Sequence, residues 1–225
     1  MDKGVKIMSN INGRVERFCL AAKENWGFVL FLLCLLSIRS SFADWYHVPS
    51  GSMLPTIHIG DRILVDKSAY RLDIPFTDIG IMTQRSPARG DIVVIDSDTA
   101  DKLLVKRVIG VPGDRIEMQN NRLKINGITS SYEKSGSQTF LEAGLMPTHR
   151  LRVSQTRSTY ATFGPVTVPK HHVLVLGDNR NNSADSRAFG FVPIETLKGK
   201  ATTVLWSFPE KSYLPATDRW LKNLI

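Results

Sequence analysis

The chain of 225 residues is long enough to bury one substantial core, and its 42% hydrophobic and 22% charged content excludes a wholly disordered or fibrous polymer. The net charge of +8 does not mark a nucleic-acid binder: from residue 44 onward, 23 Lys/Arg are interspersed with 18 Asp/Glu without a basic run, which suits proximity to anionic lipid better than tracking of phosphates. Both cysteines, Cys19 and Cys34, precede residue 40, so the remainder holds no disulfide, no Cys nucleophile and no Cys-based zinc site.

The first predicted element is apolar. Trp26 to Ile38 is unbroken by any charge, preceded by Lys3, Lys6, Arg14, Arg17 and Lys23 and followed by Arg39 alone before Arg62. This Lys/Arg imbalance predicts a cytoplasmic N-terminus with the bulk of the chain across the membrane. The run is shorter than the ~20 residues that a ~30 Å hydrocarbon core requires, unless Leu20 to Ala22 extend the helix while Lys23 snorkels. Ser41-Phe42-Ala43 offers small residues of the kind found where a leader is cut, so a removable signal peptide fits these local features equally. Trp45 and Tyr46, as interfacial aromatics, favour a retained anchor.

Next comes Val48-Pro49-Ser50-Gly51-Ser52-Met53-Leu54-Pro55-Thr56, with Gly60-Asp61 just behind. Two hydroxyls two residues apart, a glycine between them and prolines on both sides make a stiff loop suited to holding a nucleophile. Val48, Met53 and Leu54 supply apolar pocket walls. Taken alone, the nonamer also reads as a plain turn between strands. Beyond it the signals are β: Arg62 to Val65, Asp91 to Ile95, Leu103 to Ile109, Asp114 to Met118, Arg122 to Ile125, Val166 to Val168, Val173 to Leu176 and Ala201 to Trp206. Pro112-Gly113, Asn126-Gly127 and Arg89-Gly90-Asp91 mark tight turns. Residues 119–170 are rich in Ser, Thr, Gln and Asn and read as an excursion from the β body, a hairpin cap. The tail from Pro209, with Trp220, Leu221 and Leu224, fits interfacial contact and simple packing equally.

Two further islands carry chemistry. In Leu103 to Asp114, Lys106 and Arg107 interrupt an apolar strand, and alternation sends them to opposite faces, so one of them points inward. Half-neutrality of Lys106 near pH 8 needs a pKa lowered by about 2, roughly 3 kcal/mol of destabilised charge, which burial of a lysine supplies. The competing reading is an edge-strand charge that discourages aggregation. The other island, Gly177 to Arg187, is denser in acid, amide and hydroxyl groups than a surface turn requires. Arg180 stands where a calcium loop needs an oxygen ligand, which leaves a set of hydrogen-bonding props with Asp185 and Arg187 paired as a brace. His47, His58, His149, His171 and His172 lie in no nucleophile-elbow or His-Glu-x-x-His context, and no glycine-rich phosphate loop occurs.

These islands, in this order behind an apolar segment, closely resemble bacterial type I signal peptidases of the Ser/Lys dyad class, over essentially the whole chain after residue 39. The resemblance implies Ser52 as nucleophile and Lys106 as general base. It implies that Ser50 joins the Ser52 N–H in an oxyanion hole and that Ser183 hydrogen-bonds and aims the Lys106 amine. Asp178, Arg107, Asp185 and Arg187 become supporting residues, and Val48, Met53, Ile57, Leu104, Val105 and Ala184 line shallow pockets for small residues of Ala-x-Ala type. Leu104 is aliphatic where family members often carry an aromatic. The implied fold is mainly β: an antiparallel catalytic domain (44–118 plus 171–225) with a small inserted β-ribbon cap (119–170), behind a cytoplasmic N-terminus and one transmembrane helix (1–43).

The expectation is therefore an endopeptidase without metal or cofactor, anchored in the bacterial cytoplasmic membrane with its catalytic domain on the outer face. Its partners would be preprotein signal peptides and membrane lipid, not nucleic acid. One rival is a processing protease of the same dyad dedicated to a single substrate such as a pilin. A self-cleaving repressor calls for a DNA-binding helical domain where this chain has an apolar run. A third rival, from another class, is a non-catalytic, membrane-tethered β domain that binds a partner.

Overall fold

A computed structural model describes residues 23, 25–74, 77, 80–83, 85–97, 102–155, 158–209 and 214–224. Lys3, Lys6, Arg14, Arg17 and the Leu20 to Ala22 extension lie outside them. The apolar run forms helix α1 (Trp26–Ser41), 16 residues whose Phe28, Phe31, Leu33 and Leu36 are all exposed. At 1.5 Å per residue it is about 24 Å long. No helix among the described residues is long and apolar enough to cross a membrane.

The body is antiparallel β. One sheet of eight strands runs in the order β1 (Ala43–His47), β2 (Asp61–Asp66), β16 (Leu197–Ser207), β5 (Ile92–Ser97), β6 (Lys102–Gly110), β14 (His172–Leu176), β15 (Val192–Pro193), with β17 (Lys222–Asn223) also on β16. Arg71–Asp73 (β3) and Gly80–Thr83 (β4) form a separate hairpin. Each strand predicted from a Val/Ile run overlaps a strand of the fold, with Asp91, Asp114 and Val168 just outside, whereas β1 is new: aromatic residues read as interfacial are a sheet edge paired Tyr46 to Ile63 and His47 to Arg62.

The central strands β5 and β6 are covered on both faces. Ile92 and Val94 pack with Met53, Ile57, Ile63 and Val204, while Val93 and Ile95 pack with Val108, Val175 and Leu197. Across the pair, Lys106 sits opposite Val93 and Arg107 opposite Ile92. The two side chains do leave opposite faces, but both are buried, each at 3% exposure, because neither face is open to solvent. The expectation of one inward residue is corrected to two.

Residues 119–170 are more than a hairpin. Arg115–Gln119 (β7), Arg122–Ile125 (β8), Ile128–Thr129 (β9) and Phe163–Thr167 (β13) form a four-stranded sheet ordered β13-β7-β8-β9. Ser131–Lys134 (β10), Thr139–Ala143 (β11) and His149–Arg152 (β12) form a three-stranded one. Ile116, Met118, Leu123 and Ile125 pack against Ile109, Leu174 and Leu176 of the main sheet.

Candidate active site

The loop joining β1 to β2 is closed at its base: Val48 N–H donates to Asp61 O (2.9 Å) and Gly60 N–H to Val48 O (3.0 Å). Gly60 has φ +88, and a Cβ there would fall 2.0 Å from the Phe208 carbonyl, so only glycine closes the loop against β16's end. Met53 and Ile57, joined by Ile57 N–H to Met53 O (3.0 Å), are fully buried and pin the loop to the core.

The loop delivers Ser52 to β6. Lys106 Nζ donates to Ser52 Oγ at 2.9 Å and to the Val105 carbonyl at 2.9 Å. Ser50 Oγ lies 3.5 Å from Ser52 Oγ. Both serines, with Lys106, line a cleft of about 320 Å³. Of the residues expected to form pockets, Val48, Met53, Leu104, Val105 and Ala184 line it. Leu54 and Ile57 do not: Ile57, at 0% exposure, belongs to the hydrophobic core, because the turn that holds Ser52 sends it inward.

Behind the loop stands residues 177–187. Asn179 N–H donates to Ser52 O (3.0 Å) and Asn179 Nδ2 to Gly51 O (2.9 Å), so one residue grips the nucleophile loop twice. Asp178 accepts from Arg107 Nε (2.8 Å) and Nη2 (2.7 Å) and from Thr56 Oγ1 (2.5 Å). Burial disfavours the Asp178 carboxylate, but the Arg107 guanidinium outweighs it and holds the carboxyl below its usual range. Asp185 and Arg187 form the expected brace, with Nε–Oδ1 2.7 Å and Nη2–Oδ2 2.6 Å, and Asp185 also accepts the Gly177 N–H (3.0 Å).

Ser183 departs from expectation. Its Oγ is buried and has no hydrogen-bond partner among the described residues, the expected bond to the Lys106 amine included. It sits instead over Gly177, where an added Cβ would lie 2.2 Å from Ser183 Oγ and 2.5 Å from Ser52 O.

Several contributors went unassigned in the sequence. Tyr46, His47, Leu103 and Asn182 also line the cleft. Burial and the Asp44 carboxylate push the Tyr46 phenol up to about 12, leaving a neutral donor at the cleft wall. The adjacent aromatics Trp45 and Tyr46, residue types that favour strands, were the available signal for this strand. A buried ion pair between Arg219 and Asp61 locks the tail to the loop, with Arg219 Nη2 also donating to Thr56 O (3.2 Å). Two charges 158 residues apart in sequence leave no local signature of that pairing.

The family model described as "Signal peptidase, peptidase S26" matches residues 23–206. The chain is 35% identical over 213 residues to a signal peptidase I of Pseudomonas fluorescens, covering 85% of this chain and 74% of the relative. It is 36% identical over 188 residues to signal peptidase I T of Bacillus subtilis strain 168, covering 82% and 86%. A probable signal peptidase I-2 of Synechocystis is 34% identical over 192 residues, covering 83% and 73%.

Proposed function

The chain belongs to the signal peptidase family, peptidase S26, and from that premise we propose that it removes N-terminal signal peptides from exported preproteins with Ser52 as nucleophile and Lys106 as general base. It is a hydrolase of the serine protease type. The observation that carries the dyad is the 2.9 Å contact between a buried amine and a hydroxyl at the wall of a cleft. A buried amine loses hydration of its charged form, which favours the neutral base the reaction needs.

In the proposed cycle Lys106 Nζ takes the Ser52 proton as Oγ attacks the scissile carbonyl. The Ser50 hydroxyl and the Ser52 N–H stabilise the oxyanion. The Lys106 ammonium then protonates the leaving amine, giving an acyl-enzyme, and the neutral amine activates a water that releases it. Val48, Leu104, Val105 and Ala184 would make pockets that admit small residues of Ala-x-Ala type. Arg107, Asp178, Asp185 and Arg187 brace the reacting groups. Ser183, which packs over Gly177, is assigned to shaping the site rather than to a proton relay.

The membrane placement is part of the proposal. The exposed Phe28, Phe31, Leu33 and Leu36 of α1 suit a lipid environment, and the Lys/Arg imbalance supports a cytoplasmic N-terminus with the cleft on the outer face of the cytoplasmic membrane. Preprotein cleavage by the purified chain, with sequencing of the new N-termini, tests the reading. Ser52→Ala and Lys106→Met should each lower turnover at least ~1000-fold while melting like the parent. A serine-directed acylating probe should modify Ser52, faster as pH rises through the alkaline range. Retained turnover in either variant overturns the dyad, and absence of both cleavage and labelling in the parent favours a binding domain.

A further inference from the structure

Away from the cleft, four ionisable side chains meet in a buried cluster that the proposed reaction does not use. Glu142 of β11, with 0% exposure, accepts from Arg180 Nη2 at 2.5 Å and from the Tyr132 hydroxyl of β10, and His149 Nε2 of β12 lies 3.3 Å away. Both strands that flank β11 thereby send a side chain to its one carboxylate. Arg180, itself 1% exposed, comes from the segment that grips the nucleophile loop. Burial opposes ionisation of Glu142, but Arg180 outweighs it, with His149 and Tyr132 assisting, and holds the carboxyl well below its usual range.

The backbone follows the same path. Arg152 N–H donates to Asp178 O (2.8 Å) and Arg180 N–H to Arg152 O (2.9 Å), so β12 continues into residues 178–180 through a parallel bridge between Arg152 and Asn179. Thr56 Oγ1 also reaches the Arg150 carbonyl of β12 at 3.3 Å. A continuous chain of contacts therefore runs from Glu142 to Arg180, to the adjacent Asn179, and to the Gly51 and Ser52 carbonyls.

We propose that Glu142 and Arg180 are positioning residues: the inserted sheet sets the place of residues 178–180 and, through Asn179, the place of Ser52. The inserted sheet is then part of the catalytic apparatus, although it contributes no atom to the cleft lining. This inference rests on the assignment of Ser52 as nucleophile, but the contact chain can be tested without turnover.

The test uses full-length Glu142→Asp, which keeps the charge and shortens the side chain by one methylene, and Glu142→Gln, which removes the charge. Thermal melts establish folding, preprotein cleavage gives kcat and KM, and hydrogen exchange reports on peptides covering 50–54, 177–183 and 131–152. Displacement of a nucleophile by a fraction of an ångström predicts a fall in kcat of about 10- to 100-fold with KM nearly unchanged, smaller for Glu142→Asp. Exchange should quicken in 177–183 and 50–54 as well as in 131–152. Normal kcat with changes confined to 131–152 overturns the proposal and leaves the cluster a local support of the inserted sheet. Should Glu142→Gln fail to fold, Glu142→Asp alone decides. Should the parent fail to cleave, the assignment of Ser52 falls, while the exchange data still decide whether Glu142 is coupled to the loop.

Discussion

Asp178 joins two tasks, holding charge and holding shape, in one carboxylate. Its oxygens take both ends of the Arg107 fork and the Thr56 hydroxyl, so β6 and the nucleophile loop are tied to the same group. Removing one partner of a buried ion pair leaves the other charge uncompensated, at a cost of about 3–5 kcal/mol. Asp178→Asn should therefore lower thermal stability markedly at neutral pH. Because the folded carboxyl titrates below the usual ~3.9, its stabilisation is complete above that value and is lost as pH falls through the lower folded one. The gap in melting temperature between parent and variant should stay constant from about pH 8 to 5 and narrow below about pH 4; a gap undiminished at pH 2 would contradict the pair's role. At this scale the sequence was partly legible. Strand alternation placed Lys106 and Arg107 on opposite faces, but their joint burial depended on what covers each face, which no local pattern encodes.

Among the elements, the approach of residues 177–187 to the nucleophile loop depends on one missing side chain. A Cβ on Gly177 would stand 2.5 Å from the Ser52 carbonyl oxygen and 2.2 Å from Ser183 Oγ. Ser183 can yield, but the Ser52 carbonyl is backbone of the nucleophile itself and is gripped by Asn179 N–H, so displacing it disturbs the loop that places Oγ. Gly177→Ala should lower the single-turnover rate of Ser52 acylation about 100-fold. Gly136→Ala, where the nearest neighbour would be 3.6 Å away, should leave that rate unchanged. An equal effect at both positions would point to general loosening of the fold. Strands β5, β6 and β14 were readable because most of their buried residues are Val, Ile and Leu, even though β6 also buries Lys106 and Arg107. Strands β10 to β12 were not, since their buried positions include Glu142 and His149, charged or polar residues that read as loop until Arg180 is seen to meet them. The turn carrying Ser50 and Ser52 was legible for the opposite reason: Pro and Gly set backbone geometry locally.

For the whole molecule, the relation between α1 and the cleft follows from β1. Five residues of strand, about 17 Å at ~3.3 Å each, separate the end of α1 from the loop that carries Ser52, and β1 is locked in register by β2. The Arg39 guanidinium, 4.2 Å from the Trp45 ring centroid, clasps the junction. Ser52 is thus held at a fixed short distance from the helix, and a leader whose apolar part remains in a bilayer would present its cut site within that reach. The large exposed side chains of α1 appear in none of the hydrophobic core clusters, so the β body does not depend on them for its packing. A chain beginning at Arg39 should therefore melt cooperatively and still be acylated at Ser52 by a soluble probe. If α1 is the membrane tether proposed above, cleavage of a preprotein embedded in lipid vesicles should fall at least about tenfold relative to the full chain, because its contribution to effective concentration is gone. Equal rates on embedded preprotein with and without residues 1–38 would show that the β body finds the membrane by its own surface, where Phe208, Leu214, Trp220 and Leu221 are also exposed.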